Sequence, residues 1–237
     1  MTMRRKAPVV AIDGPAGAGK STVSSRVAAA LGYTLLNTGA LYRCVGLVAM
    51  ERGVLNAPQE VAVIARELSE PGRIRFAESG AQIKRVILDE RDVSETIRSE
   101  EVGLAASRVS AIAEVRRALL GLQRSFGLEG RVVVEGRDIS TVVFPDAEVK
   151  IFLTASAAAR AQRRFEELKR SGEPVTLEII EREVQERDRR DSQRPVAPLQ
   201  RAPDAICVDS TGQSVEQIVE QIVAEVRRVE ARMANEQ

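Results

Sequence analysis

The run Gly14-Pro15-Ala16-Gly17-Ala18-Gly19-Lys20-Ser21 has the spacing G-x-x-x-x-G-K-[ST]. That pattern binds the phosphates of a nucleoside triphosphate. Its glycines let the backbone turn N–H groups inward around the anion, and a following helix adds the positive end of its dipole. Lys20 supplies a point charge for the β- and γ-phosphates, and Ser21 a hydroxyl ligand for Mg²⁺; Thr22 falls in the same stretch. A chance glycine-rich turn is the bland alternative, and the strand before and helix after weigh against it.

Three further stretches carry chemistry. Asn37-Thr38-Gly-Ala-Leu-Tyr-Arg43 follows the second strand; in the bland reading it is a polar loop opening a helix. Glu135-Gly-Arg137-Asp138-Ile-Ser140-Thr-Val-Val-Phe-Pro145 ends a buried strand. Open parallel sheets bind ligands at the carboxyl ends of such strands. In Glu186-Arg187-Asp-Arg-Arg-Asp191-Ser-Gln-Arg194, the residues Arg187, Asp191 and Arg194 are spaced by four and three, hence on one helical face. Taken alone, that run reads as a solvated helix with i,i+4 pairs.

The pieces that hold these residues alternate strand and helix. Residues 8–13 form a short apolar strand, and Lys20 to Leu31 a helix closed by Gly32. Thr34 to Leu36 predict a strand; Leu41 to Arg52 and Pro58 to Leu68 predict helices. Arg73 to Ala77 and Ile83 to Leu88 flank Glu78-Ser-Gly80 as a hairpin, with a short strand around Asp92-Val93. Helix resumes from Glu100 to Phe126, bent or broken near Gly103. Strands at Arg131 to Glu135 and Val149 to Leu153 precede helices at Ser156 to Arg170 and Leu177 to Arg194. A strand at Ala205 to Val208 and a helix from Val215 to about Met233, capped by Ser214, complete the chain. The order implies a mostly parallel sheet covered on both faces, interrupted by a small antiparallel insertion at about 67–100.

Composition removes whole chemistries. The chain has 237 residues and no histidine, so imidazole relays, His-ligated zinc and Ser-His-Asp hydrolysis are excluded within it. Basic and acidic residues number 35 and 34, a balance that argues against coating a nucleic-acid polymer or an anionic membrane. Nearly all the basic residues are arginine. GC-rich coding and recognition of multiply charged oxyanions by bidentate forks both explain that, and composition does not separate them. No lysine follows an asparagine, so the Asn-Lys-x-Asp that reads guanine in GTPases is missing. What remains among small phosphate-loop proteins is transfer of the γ-phosphoryl group to a bound acceptor. Cys44 and Cys207 form no framework, and no apolar run reaches the ~18 residues of a spanning helix. The apolar run after the basic N-terminus is too short for a signal peptide. A cytoplasmic, soluble, monomeric protein is expected.

On Ile12-Asp-Gly-Pro15, the Glu135–Pro145 and Glu186–Arg194 stretches, and Val196-Ala-Pro-Leu199, the chain resembles the bacterial cytidylate kinases over nearly its whole length. The resemblance implies one α/β kinase domain with a five-stranded parallel core, an inserted acceptor-binding lobe at about 38–105 and a helical lid at about 160–195. It implies ATP as donor with Mg²⁺, CMP or dCMP as acceptor, and no membrane or nucleic-acid polymer as partner. UMP, dTMP or shikimate as acceptor, or a non-catalytic nucleotide-binding regulator, are the competing readings.

By resemblance Thr38 and Arg43 face the acceptor, Ser107 and Arg116 read the cytosine edge with Asp138, and Arg137 approaches the phosphate. Arg187 and Arg194 clamp phosphates, Asp191 contacts the ribose, and Arg160 and Arg163 lie on the ATP side. Three positions depart from the family pattern. Glu135, a candidate for the Mg²⁺ water shell, stands where Asp is frequent; Asn37 replaces Asp; and Ser140 occupies a position where glycine is usual, which puts that turn's geometry in question.

Overall fold

The computed structural model describes residues 5–79, 83–170, 172 and 174–236. The chain divides into two compact units, Leu35–Glu129 and the described residues on either side of it. The main sheet includes the parallel pairings of β1 (Val9–Asp13) with β6 (Val132–Gly136), of β1 with β7 (Val149–Thr154), and of β7 with β8 (Ile206–Asp209). With β2 (Thr34–Asn37), the order is β2-β6-β1-β7-β8. All five residues of β1 are buried, as a central parallel strand requires. Asp13 in β1 is level with Gly136 of β6 and Phe152 of β7, so β1 and β6 end together and β7 runs on to Thr154.

Four α-helices lie among the described residues of this unit. α1 (Lys20–Leu31) follows the glycine-rich loop and ends at Gly32, in the left-handed conformation. α8 (Val215–Asn235) starts with a reciprocal Ser214–Gln217 capping box and buries Ile218, Ile222, Val226 and Val229 along one stripe. α6 (Ala157–Arg170) and α7 (Leu177–Gln193) share a small cluster of Ala161, Leu168 and Ile180, flanked by Phe165, Leu177 and Val184. Ile180 is the only apolar side chain fully buried on α7. Leu177 and Val184 are partly buried against that cluster, and the remainder of α7 is dominated by charged residues.

Leu35–Glu129 has a core of its own. Leu41 and Val45 of α2 (Thr38–Glu51) pack with Ile64 and Leu68 of α3 (Pro58–Leu68) and Leu119 of α5 (Ala113–Ser125). Burying each such side chain stabilises the fold by roughly 1.5–3 kcal/mol. The antiparallel sheet is β3 (Ile74–Ser79), β4 (Ile83–Leu88) and β5 (Arg91–Asp92), with Ile74 paired to Leu88. The hairpin stands where its pattern put it, although Gly80 lies outside the described residues.

One expectation needs correction. The helix over 100–126 is two helices, α4 (Glu100–Val109) and α5, and the break falls at Ser110–Ile112 and not at Gly103. Gly103 keeps its helical bond to the Ser99 carbonyl at 3.0 Å. Ser110 instead turns its hydroxyl back to the Ser107 carbonyl at 3.0 Å, and its own carbonyl accepts from Arg116 Nη1 at 3.2 Å. After β6 the chain also makes a wide turn that no hydrophobic period announced. The Val143 N–H bonds the Asp138 carbonyl and the Phe144 N–H the Ile139 carbonyl, at 3.2 and 2.7 Å.

Gly130 precedes β6 with φ +77°, and a Cβ there would lie 1.8 Å from the Ala7 carbonyl oxygen. Gly130→Ala therefore meets both a disfavoured backbone region and a backbone clash. Urea unfolding is expected to show a loss of at least about 2 kcal/mol.

Candidate active site

The glycine-rich loop spans from β1 to α1. A Cβ on Gly14 would lie 1.9 Å from the Leu153 carbonyl, so the chain passes β7 there with no room for a side chain. The first residue of α1 is Lys20, and its N-cap, Gly19, provides no side-chain acceptor. The N–H groups of that helix end are left for an anion. Lys20 is 7% exposed, and its Nζ donates to the Pro15 carbonyl at 2.7 Å. Burial and the neighbouring Arg137 and Arg187 push its pKa well below the usual lysine value, against the pull of Glu135. Phosphate oxygens arriving beside it would favour its charged form.

Ser21 Oγ donates to Glu135 Oε1 at 2.9 Å. Glu135, the fourth residue of β6, is buried; burial raises its pKa, and Lys20 and Ser21 offset part of that rise. The longer side chain thus reaches the phosphate-loop serine directly.

Beyond β6 the wide turn is anchored by Asp13. Its carboxylate accepts from the Ile139 and Ser140 N–H groups, both at 2.7 Å, and from the Ser140 hydroxyl. Burial raises the Asp13 pKa, and these bonds act against that rise. Ser140 is not among the residues of positive φ. The turn therefore does not need glycine here, and the hydroxyl adds a bond that glycine lacks.

Opposite charges then tie α7 to the turn. Arg137 Nε donates to Asp191 Oδ2 at 2.9 Å, and Arg194 Nη2 lies 3.4 Å from Asp138 Oδ1. Burial alone would raise the Asp191 pKa, but Arg137, Arg187 and Arg194 outweigh it and hold the carboxyl below its usual value. Arg187, Asp191 and Arg194 therefore share one electrostatic neighbourhood with Lys20 and Arg137.

Arg160 and Arg163 stand on α6, one turn apart. Arg160 donates to the Ala16 carbonyl and to Asp188, and Arg163 to both oxygens of Ser210. Asp13, Asp188 and Ser210 escaped the sequence reading. Asp188 had a signal, lying inside the charged run and three residues before Asp191; Ser210 had none.

The other expected residues stand in the unit Leu35–Glu129. Thr38 is buried at the start of α2, with Asn37 as its N-cap. The Arg43 guanidinium donates to the Ile97 and Ser99 carbonyls. Arg116 is buried, its guanidinium carbon 5.3 Å from the Tyr42 ring centroid. Ser107 is half-buried on α4.

Residues 10–228 match the family model described as cytidylate kinase. The chain belongs to the cytidylate kinase family. Among curated members, the cytidylate kinase of Pseudomonas savastanoi pv. phaseolicola is 47% identical over 94% of this chain and 97% of its own length. That of Pseudomonas aeruginosa UCBPP-PA14 is 47% identical over 95% and 98%, and that of Marinomonas sp. 45% over 95% and 98%. Among solved structures, a gluconokinase from Sinorhizobium meliloti 1021 aligns over 99% of both chains at 15% identity, with a TM-score of 0.48.

Proposed function

We propose that the protein transfers the γ-phosphoryl group of ATP to CMP, and to dCMP, giving ADP and the nucleoside diphosphate. The observation that carries this reading is the gathering of the phosphate loop, buried Lys20 and the Arg137–Asp191 and Arg194–Asp138 pairs in one unit. A protein that only bound a nucleotide would have no use for a row of arginines on a helix with one apolar anchor.

The attacking group is an oxygen of the acceptor's own phosphate, largely ionised at neutral pH because its second pKa is ~6. No general base is required, and the absence of histidine costs nothing. In-line transfer through a loose transition state spreads negative charge over the equatorial oxygens, which positioned cations stabilise. Lys20 takes that role on the donor phosphates, and Arg187 and Arg194 on the transferred and acceptor phosphates. Mg²⁺ binds oxygen donors, keeps several waters and uses one or two protein groups beside the substrate phosphates. Ser21 Oγ and Glu135, adjacent and both oxygen donors, fit it. Bound there, the ion would neutralise charge on the β- and γ-phosphates.

For the acceptor we assign, in the unit of the phosphate loop, Arg137 to the phosphate, Asp191 to the ribose and Asp138 to the base; in the unit Leu35–Glu129 we assign Arg43 to the phosphate, Ser107 and Arg116 to the base, and Thr38 to the acceptor nucleotide. Cys44 and Cys207 are both free thiols, and burial pushes that of Cys44 up to about 12; a reducing cytoplasm suits them. No described helix is long and apolar enough to cross a membrane.

ADP release measured over a panel of CMP, dCMP, UMP, dTMP and shikimate tests the reading. CMP and dCMP are expected to exceed the others in kcat/KM by at least about a hundred-fold, the scale set by buried hydrogen-bonding groups left without a partner. A better rate with any of the others would replace the acceptor, and ADP release indifferent to every acceptor would remove the transferase activity.

A further inference from the structure

The two α6 arginines are engaged by the protein itself. Arg160 is 4% exposed and makes four donor contacts: Nε to the Ala155 carbonyl at 3.0 Å, Nη1 to the Ala16 carbonyl at 3.0 Å, and Nη1 and Nη2 to the two Asp188 oxygens at 2.9 and 2.5 Å. The fork on Asp188 fixes the guanidinium plane, and with it the bond to Ala16. The backbone fits closely at the same place: a Cβ on Gly17 would lie 3.1 Å from Arg160 Cβ. One helical turn on, Arg163 Nη1 and Nη2 donate to the Ser210 hydroxyl and carbonyl oxygens at 3.1 and 2.7 Å. Ser210 is 2% exposed, and its hydroxyl donates to the Ala18 carbonyl at 3.1 Å.

Two carbonyls of the phosphate loop, alternate along the chain, are thus held from outside it. In a trans peptide the C=O and the following N–H point in opposite directions. A bond that fixes the Ala16 carbonyl toward α6 turns the Gly17 N–H away from α6, and a bond that fixes the Ala18 carbonyl toward Ser210 turns away the Gly19 N–H. Gly17 and Gly19 have φ of +77° and +88°. Glycine's freedom there would let either peptide rotate were its carbonyl not restrained.

We propose that Arg160 and Ser210, the latter held by Arg163, are positioning residues that aim the Gly17 and Gly19 N–H groups at the triphosphate by fixing the carbonyls behind them. This rests on the reading that the loop binds ATP. The arginines' contribution to ATP binding then runs through the backbone of the loop and not through direct contact with the nucleotide.

Calorimetric titration of the full chain with ATP, with inorganic tripolyphosphate and with CMP, each alone, tests the proposal. In Arg160→Met and in Ser210→Ala, affinity for tripolyphosphate and ATP is expected to fall by about ten-fold, the size of one lost hydrogen bond of this kind, in equal proportion for both ligands. CMP affinity is expected to stay within about two-fold of wild type, which a general loss of folding would not allow. Wild-type ATP affinity in Ser210→Ala overturns the proposal, and a loss confined to Arg160→Met would mark direct phosphate contact instead. If Arg160→Met does not fold, Ser210→Ala decides alone. A wild-type chain that binds neither ATP nor tripolyphosphate would overturn the functional reading instead.

Discussion

Arg187→Ala is expected to lower the rate of phosphoryl transfer at least about a hundred-fold while ATP affinity stays within about three-fold of wild type. The asymmetry follows from where Arg187 acts. It stands on α7, close enough to Lys20 to depress that lysine's pKa and close enough to Asp191 to help hold its carboxyl ionised. Removing it takes a like charge away from Lys20 and leaves that lysine in place for the donor phosphates. In the role proposed for it, Arg187 is a cation for the charge that develops only during transfer, and an arginine in that role contributes ~10³–10⁵ in rate, or roughly 4–7 kcal/mol of barrier. Loss of kcat without loss of ATP binding, measured by steady-state kinetics beside calorimetry, separates this from damage to the fold. Unchanged turnover would remove Arg187 from the transition state.

Asp138→Ala is expected to act on the other substrate. Initial rates with CMP varied at saturating ATP should show kcat/KM for CMP lowered by about 30- to 100-fold, the scale of a lost charged hydrogen bond in a buried site. With ATP varied at saturating CMP, KM for ATP should move by less than about three-fold. The local structure explains why the effect stays on one side. Asp138 opens the wide turn that Asp13 anchors through Ile139 and Ser140, and those bonds do not involve the Asp138 side chain. Its neighbour Arg194 keeps a second acceptor in the Ala197 carbonyl. Asp138→Asn retains an acceptor oxygen and should recover part of the loss. Equal losses for CMP and ATP would contradict the acceptor-side assignment.

The stretch from β1 through α1 was legible almost to the residue, because a phosphate loop constrains backbone shape and so leaves its glycines in the sequence. α8 was legible from its stripe of Ile and Val and from the Ser214 cap, both local signals. The break between α4 and α5 was misplaced because Gly103 advertises flexibility, whereas it stays helical and the chain turns where Ser110 bonds backward. The site was legible as three separate charged or polar stretches. Their connections were not: Asp13 meets Ser140 across 127 positions, and Ser210 meets Ala18 across 192. Pairings of that range depend on the order of strands in the sheet, which no local period encodes. The same distance hid the difference between an arginine that faces a nucleotide and one that holds the loop in front of it. Glu135 and Ser140 looked like departures from the family pattern, and in the fold each makes a hydrogen bond, to Ser21 and to Asp13.

The central claim is that phosphoryl groups leave ATP for CMP and not for water. Incubating the wild-type chain with γ-labelled ATP, CMP and Mg²⁺, and separating nucleotides from inorganic phosphate, measures that partition directly. One labelled CDP per ADP formed is the expected result. Label released as inorganic phosphate in step with ADP, with no labelled CDP, would contradict it.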